Sequence, residues 1–163
     1  MTDYRIGIGV DAHAFGDGVP LVLGGVTIEH PRGLVGHSDG DVIAHVLTDA
    51  LLGAAGLGDI GSLFPSDDES YRGADSLALL ADAYARVREA GFELVNADCV
   101  LVGEQPRVAE VRDRMRERLA GALGVGMERV AVRATTTDGL GFTGRGEGLA
   151  AQAVALLSRH MSP

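Results

Sequence analysis

The stretch GHSDGDVIAHVLTD, from Gly36 to Asp49, decides how we interpret the fold. It begins as a polar loop between glycines and continues as an apolar segment that carries one imidazole, His45. Either Ser38 or Asp39 is predicted to cap the following helix, because a short side-chain oxygen accepts hydrogen bonds from the free N–H groups of a first turn. We expect this helix to cover about residues 41–55, with its polar side chains on one face.

His45 allows two interpretations. A single histidine in an apolar helix is more often a core residue than a metal ligand, but a second polar cluster upstream favours the ligand. Residues 4–10 predict a strand by their alternating pattern, and this strand continues into Asp11 and His13. Residues two apart in an extended chain point the same way. Asp11, His13 and His45 therefore predict a metal site of two histidines and one carboxylate.

The ligand types alone leave the identity of the metal open. Three protein ligands leave one position for water or substrate, as in catalytic zinc sites. The same set of two histidines and one carboxylate also suits non-haem Fe(II). Zinc and iron are therefore both compatible with this cluster.

Composition limits the class of protein. A length of 163 residues suits one domain, residues 1–163, and a hydrophobic content of 46% is sufficient for a core. The net charge of −9 argues against a nucleic-acid partner. No apolar stretch reaches the roughly 18 residues of a membrane span, and the N-terminus lacks a signal-peptide pattern, so we expect a cytoplasmic protein without a membrane partner. The single cysteine, Cys99, is predicted to be a buried, inert thiol.

The remaining pattern predicts an α+β fold. Gly24-Gly25, between two short apolar runs, predicts a β-hairpin, and residues 15–20 predict a loop. Further helices are predicted over 75–90, 108–123 and 149–159, and further strands over 92–102 and 129–134. Strands and helices alternate in the second half only. We therefore expect a two-layer sandwich, a mixed sheet with helices mainly on one face.

The segment TTTDGLGFTGRGEG, from Thr135 to Gly148, is rich in groups that bind phosphate. Hydroxyl and N–H groups of the three threonines can contact phosphate oxygens, although threonine is also common in ordinary strands. Asp138 can hold Mg²⁺, which proteins usually bind through one or two carboxylates plus substrate phosphates. Arg145, between glycines, can meet a further phosphate. The segment therefore predicts a phosphate site at the end of a strand.

Five separated motifs resemble one protein family. They are DAHAF from Asp11, GHSDGDV from Gly36, TDALLGAAGLGDIGSLFP from Thr48, GADS from Gly73 and TTTDGLGFTGRGEG from Thr135. In this order, over about residues 5–157, the chain resembles the 2-C-methyl-D-erythritol 2,4-cyclodiphosphate synthases of the non-mevalonate isoprenoid pathway. The resemblance implies a phosphorus–oxygen lyase. Its substrate would be 4-diphosphocytidyl-2-C-methyl-D-erythritol 2-phosphate, whose 2-phosphate attacks the β-phosphorus, forms the cyclic diphosphate and releases CMP.

The resemblance also implies residue roles. It implies Zn²⁺ at Asp11, His13 and His45, Mg²⁺ or Mn²⁺ at Asp138 between the phosphates, and transition-state stabilisation by His37 and Thr136. The implied substrate contacts are Asp11, His13, His37, Ser38, Asp59, Ile60, Gly61, Phe64, Pro65, Ser66, Asp67, Asp68, Gly103, Glu104, Gln105, Pro106, Arg107, Val108, Ala109, Thr135, Thr136, Thr137, Asp138, Phe142 and Arg145. The chain departs from the family at three of these positions, where Glu, Ala and Lys are common instead of Asp138, Gly103 and Arg107.

The implied partners are further copies of the same chain. Family members are homotrimers whose active sites are shared between neighbouring subunits. Near Arg145 and Glu147, the resemblance implies an apolar channel on the trimer axis with room for an isoprenoid diphosphate. Two other functions stay open: a metal-dependent phosphoester hydrolase that activates water at the same three ligands, and a catalytically silent nucleotide-binding module.

Overall fold

A five-stranded sheet forms the centre of the fold in the computed structural model, which describes residues 1–161. The strands are β1 (Thr2–Asp17), β2 (Leu21–Leu23), β3 (Val26–Ile28), β4 (Arg32–Leu34), β5 (Glu93–Val102), β6 (Val130–Thr135) and β7 (Gly148–His160). The helices are α1 (Val42–Ala55), α2 (Ile60–Leu63), α3 (Ser76–Glu89), α4 (Arg112–Leu123) and α5 (Gly141–Gly144). Short 3₁₀ turns cover Glu69–Tyr71 and Met127–Arg129.

The sheet is mixed and has the strand order β4-β1-β7-β5-β6, with β2 and β3 forming a separate hairpin. Strand β7 is antiparallel to β1 and β5, whereas β5 and β6 are parallel. Helix α1 packs on β1 and β7, and α3 and α4 extend the same layer. The opposite face exposes Ile6, Ile8 and Val10, each more than 60% accessible. The predicted α+β fold with a mixed sheet is confirmed.

The C-terminal segment is a strand, and the predicted helix over 149–159 was wrong. Its alanines and leucines favour a helix by intrinsic propensity. Alternate side chains are nevertheless buried, which is the period of a strand: Leu149, Ala151, Ala153, Ala155 and Leu157. The segment lies between β1 and β5, so its backbone pairs on both sides, and its alanines leave room for α1. Tertiary packing therefore overrides propensity here.

Two other boundaries differ from the predicted ones. Strand β1 runs to Asp17, through part of the predicted 15–20 loop, because Phe15–Asp17 pairs with β4 after the earlier residues pair with β7. Helix α4 begins at Arg112, later than the predicted position 108. The hairpin at Gly24-Gly25 is confirmed as the two-residue connection between β2 and β3.

Asp41 caps α1, in place of the predicted Ser38 or Asp39. Its fully buried carboxylate accepts from Ala44 N at 3.1 Å, Gly24 N at 2.9 Å and Gly25 N at 2.7 Å. Burial raises the pKa of Asp41 to about 6. One carboxylate thus caps the start of the helix and fixes the hairpin turn against it.

Helix α1 lies unusually close to β1, because glycines occupy the facing positions. A Cβ atom on Gly7 would lie 2.0 Å from the Ala50 carbonyl oxygen, and one on Gly9 would lie 2.0 Å from that of Val46. Either contact is far inside van der Waals distance, so a side chain there would push the helix away. The close approach brings the N-terminal half of α1 onto the end of β1.

Cys99 is buried in β5, and burial raises the pKa of its thiol to about 12. The predicted inert thiol is consistent with this environment, because the reactive species is the thiolate. Within residues 1–161, no helix has the length and apolar character needed to cross a membrane. The cytoplasmic location and the single-domain organisation stay predictions.

Candidate functional site

Asp11, His13 and His45 converge as predicted, and we call these three residues the metal cluster. Strand β1 supplies the first two, on the face that carries Gly7 and Gly9, and α1 supplies the third. Asp11 Oδ2 lies 2.8 Å from His13 Nε2 and 3.2 Å from His45 Nδ1, and the two nitrogens are 3.2 Å apart. A tetrahedral zinc ion with bonds of about 2.0–2.1 Å separates its ligands by about 3.3 Å. The cluster therefore fits one ion of this size.

Hydrogen bonding sets the charge and orientation of the metal cluster. Although burial opposes it, the neighbouring imidazoles of His13 and His45 lower the pKa of Asp11 well below its usual range. The hydrogen bond to Asp11 raises the pKa of His13. His13 Nδ1 donates to the Val35 carbonyl oxygen at 2.9 Å, which directs Nε2 toward the cluster. A fixed carboxylate and an oriented imidazole are suited to bind a divalent cation.

A cavity of about 620 Å³ opens beside the metal cluster. Its lining brings together most of the residues predicted for this end of the site: Asp11, His13, His37, Ser38, His45, Ile60, Gly61, Phe64, Pro65, Ser66 and Asp67. The sequence analysis missed Tyr71 and Leu79 in this lining. Tyr71 packs edge-on against Phe64, with ring centroids 5.3 Å apart. An aromatic residue in a polar loop was the only signal for it.

The loops around this cavity are held by backbone and side-chain hydrogen bonds. His37 Nε2 donates to the Asp68 carbonyl oxygen at 3.1 Å, so the two loops meet at the rim. The Asp59 carboxylate caps α2 by accepting from Ser62 N at 2.8 Å. Asp59 and Asp68 are exposed next to the lining residues without lining the cavity themselves.

Asp49 lies behind the cavity, next to its lining residue Ile60, and no role was predicted for it. Its half-buried carboxylate accepts from Ile60 N at 2.7 Å and thereby anchors the segment that begins α2. Burial raises the pKa of Asp49. Its position four residues after His45 was visible in the sequence, but its backbone partner was not.

The residues predicted to bind the cytidine diphosphate lie where β5 and β6 end. These strands are parallel, so residues 103–109 and 135–138, which we call the strand-end loops, emerge side by side. Gly103 N donates to the Thr135 carbonyl oxygen at 3.0 Å. Glu104 Oε1 accepts from Thr137 N at 3.2 Å. The carboxyl ends of two parallel strands thus bring the predicted cytidine and phosphate residues together.

Asp138 and Thr136 face solvent in these loops. The Thr136 hydroxyl donates to Asp138 Oδ1 at 3.1 Å, and Asp138 has a φ of +52°. This left-handed conformation is tolerated by Asp and Asn better than by most residues. Val108, by contrast, is buried in the core, so a ligand could contact only its backbone.

Phe142 and Arg145 follow in and after the short helix α5. Phe142 is 41% exposed, and the Arg145 guanidinium pairs with Glu147 at 2.8 Å on the surface. Gln105 and Arg145 line a second cavity of about 390 Å³ together with Phe15. Arg145 therefore lies beside Gln105 of the strand-end loops.

Within one chain, the strand-end loops do not line the cavity of the metal cluster. Both groups lie at the same end of the sheet, since Ala12 pairs with Ala150, Ala150 with Val102, and Val102 with Thr135. Three strand spacings, about 14 Å, therefore separate Thr135 from β1. The described chain holds two polar groups side by side, without a shared cavity.

Known proteins are similar to this chain in sequence and in fold. The family model described as YgbB matches residues 4–158. The 2-C-methyl-D-erythritol 2,4-cyclodiphosphate synthase of Rubrobacter xylanophilus is 60% identical over 162 residues, 98% of each protein. The bifunctional IspDF of Campylobacter jejuni has a TM-score of 0.95 and 46% identity over 98% of this chain, which spans 43% of that protein. A CDP-bound 2C-methyl-D-erythritol-2,4-cyclodiphosphate synthase structure has a TM-score of 0.85 and 39% identity, over 94% of this chain and 99% of that protein.

These matches cover nearly the whole chain at high identity, and they include all five motifs. The metal cluster and the strand-end loops both lie inside the matched region. The chain therefore belongs to the 2-C-methyl-D-erythritol 2,4-cyclodiphosphate synthase family, the YgbB family.

Proposed function

We propose that this protein is an enzyme that converts 4-diphosphocytidyl-2-C-methyl-D-erythritol 2-phosphate to 2-C-methyl-D-erythritol 2,4-cyclodiphosphate and CMP, in isoprenoid precursor synthesis. One observation carries the proposal: a preformed triangle of metal-ligand atoms opens into a cavity lined by the family's motif residues. The names of relatives such as that of Rubrobacter xylanophilus support the same reaction.

The metal cluster would hold Zn²⁺ through Asp11, His13 and His45. When bound there, Zn²⁺ polarises phosphoryl oxygens and offsets the repulsion between an anionic nucleophile and an anionic diphosphate. At the rim, His37 and Ser38 would donate hydrogen bonds to the phosphate that attacks. These groups orient the substrate, and orientation with electrostatic stabilisation supplies most of phosphoryl-transfer catalysis.

The rest of the cavity would bind the erythritol. The backbone of Gly61, with Asp59 exposed beside the cavity, would contact its hydroxyl groups, and residues 64–67 would enclose that end, with Asp68 next to them. Asp49 would keep this segment in place through its bond to Ile60 N. The volume of about 620 Å³ is ample for a phosphorylated four-carbon polyol.

The strand-end loops would bind the cytidine diphosphate. Residues 103–109 would contact the base and ribose, largely through the backbone, as the buried Val108 requires. Asp138 would hold Mg²⁺ or Mn²⁺ between the phosphates, and Thr136 would stabilise charge at the reacting phosphorus. Phe142 and Arg145 would complete this half of the site.

A homotrimer would unite the two halves, with each active site at a subunit interface. Two observations support this proposal. The metal cluster and the strand-end loops share no cavity within the described chain. The outer sheet face also presents a contiguous apolar strip from β1, namely Tyr4, Ile6, Ile8 and Val10, together with Val154 of β7. Apolar patches of this kind mark protein interfaces.

An isoprenoid diphosphate would fit on the trimer axis near Arg145. The exposed Arg145–Glu147 pair supplies a cation for its phosphates. We expect Arg145→Ala to weaken binding of such a lipid to the purified protein. Unchanged lipid binding would remove this part of the proposal.

Phosphorus NMR of the protein with the substrate and Mg²⁺ tests the reaction directly. We expect CMP and a cyclic diphosphate in equal amounts. Release of inorganic phosphate would indicate the hydrolase instead. No turnover, with CMP still bound, would indicate the silent nucleotide-binding module.

A further inference from the structure

A chain of hydrogen bonds lies behind His45, on the side of the ring that faces away from the metal cluster. His45 Nε2 lies 2.9 Å from Ser76 Oγ and 2.9 Å from Ser38 Oγ. Ser76 Oγ in turn lies 2.5 Å from Asp39 Oδ1. Ser76 is 1% exposed and is the first residue of α3, so these contacts form inside the protein.

The donors in this chain follow from the chemistry of its last member. Asp39 accepts from Ser76 N at 3.0 Å and from Asp41 N at 3.0 Å, as an ionised carboxylate does. Because a carboxylate has no proton to give, the Ser76 hydroxyl donates to Asp39. The hydroxyl proton is thereby used, and Ser76 Oγ can only accept from the imidazole.

The proton of neutral His45 is consequently drawn to Nε2. Its other nitrogen, Nδ1, is then unprotonated, points into the metal cluster, and can accept a hydrogen bond from His13 Nε2 at 3.2 Å in the metal-free protein. Only an unprotonated nitrogen can bind a metal ion. The hydrogen-bond partner of His45 Nε2 therefore determines whether Nδ1 can bind a metal ion.

We propose that Ser76 and Asp39 are positioning residues that fix the Nε2–H tautomer of His45 and so prepare its Nδ1 as a metal ligand. Neither residue lines the cavity or contacts the metal cluster except through His45. Ser38 shares the Nε2 contact but lies at the cavity rim, so its hydroxyl remains available to a substrate phosphate. The proposal rests on the metal site described above and adds to it the control of one ligand.

The tautomer can be measured without any variant. Long-range proton–nitrogen correlation spectra of the ¹⁵N-histidine-labelled, metal-free protein distinguish Nδ1–H from Nε2–H imidazole. We expect His45 in the Nε2–H form. A predominant Nδ1–H form would overturn the proposal, whatever the variants do.

Two variants test the consequence for metal binding. Ser76→Ala removes the acceptor, and Asp39→Asn supplies an amide that can donate to Ser76 Oγ and turn its hydroxyl toward His45. Loss of a group that orients a ligand typically weakens metal affinity about 10- to 100-fold. We expect this loss for Zn²⁺, measured by chelator competition, together with a larger Nδ1–H population in the metal-free spectrum.

Ser158→Ala is the control for a serine-to-alanine change, because Ser158 is partly buried but lies on β7 near Glu93 of β5, at the opposite end of the sheet. It should leave both the tautomer and the Zn²⁺ affinity unchanged. If Ser76→Ala and Asp39→Asn fold with wild-type Zn²⁺ affinity, their contacts are only structural and the proposal is wrong. A wild-type protein that does not bind Zn²⁺ would overturn the metal site itself, and the proposal with it.

Discussion

The metal cluster and the strand-end loops lie at the same end of one sheet, yet they differ in how far a single chain completes them. The metal cluster is half-buried, and each of its side chains is held by at least one further hydrogen bond. The strand-end loops lie largely at the surface, and within residues 1–161 the side chain of Asp138 hydrogen-bonds only to Thr136 of its own loop. The first region is preorganised by the packing of α1 on β1. The second would become a site only when a ligand and a neighbouring subunit cover it.

His45→Ala should separate the two regions most strongly. It removes one of three ligand atoms, so Zn²⁺ affinity should fall by more than about 100-fold and turnover should fall to background. The strand-end loops contain no part of α1, so CMP binding should persist. Chelator competition and calorimetry with CMP measure the two effects. Retained turnover would refute the assignment of the metal cluster.

Ile8→Asp should break the link between the regions without touching either. The side chain is 64% exposed on the outer face, and a carboxylate buried there on assembly would cost several kcal/mol. We expect a monomer by light scattering, at least about 100-fold less activity and unchanged Zn²⁺ binding. Ile8→Val is the control. A fully active monomer would contradict the shared site.

Asp138→Asn should affect only the strand-end loops. Asparagine tolerates the positive φ, so the change removes charge with little backbone strain. The Mg²⁺ concentration needed for half-maximal activity should rise about tenfold or more, because a carboxylate ligand is lost. Zn²⁺ affinity should stay as in the wild type. An unchanged Mg²⁺ requirement would show that another group holds this ion.

Acid pH should lower the Zn²⁺ affinity of the metal cluster gradually. Because Asp11 raises the pKa of His13, a proton competes with the metal from above pH 6.5, and Zn²⁺ affinity should fall about tenfold per pH unit below the raised pKa. The stability of the metal-free protein depends on pH in the opposite way. Its His13–Asp11 pair contributes full stabilisation between about pH 3.8 and 6.5, the ordinary pKa values of the two groups. This contribution is lost as pH rises through the raised pKa of His13, or falls through the lowered pKa of Asp11.

Thermal unfolding with and without Zn²⁺ measures this difference. The gap between the two melting temperatures should widen from pH 5.5 to pH 8. A constant gap would show that no histidine proton is displaced on binding.

The metal cluster could be predicted because local rules place its members. Asp11 and His13 share a strand face by their spacing, and His45 follows from a recognisable helix start. The same local rules predicted the hairpin at Gly24-Gly25. What they could not give was the distance between strand and helix, which depends on the glycines that face α1.

The missed features depend on partners far apart in the chain. Asp41 reaches Gly24 across 17 positions, and Ser76 reaches Asp39 across 37. Such contacts leave no periodic signal in the sequence. Strand β7 was mistaken for a helix for a related reason. Its alanine content reflects the space beneath α1, which only the tertiary structure defines.

Strand β1 uses its two faces for unlike purposes. Gly7, Gly9, Asp11 and His13 face α1, whereas Ile8 and its even-numbered neighbours face outward. A shift of one residue exchanges the faces of a strand. Deleting a single residue after Gly9 would therefore turn the two ligands outward and direct apolar side chains at His45. The number of residues between Gly9 and His13 therefore determines which side chains reach His45.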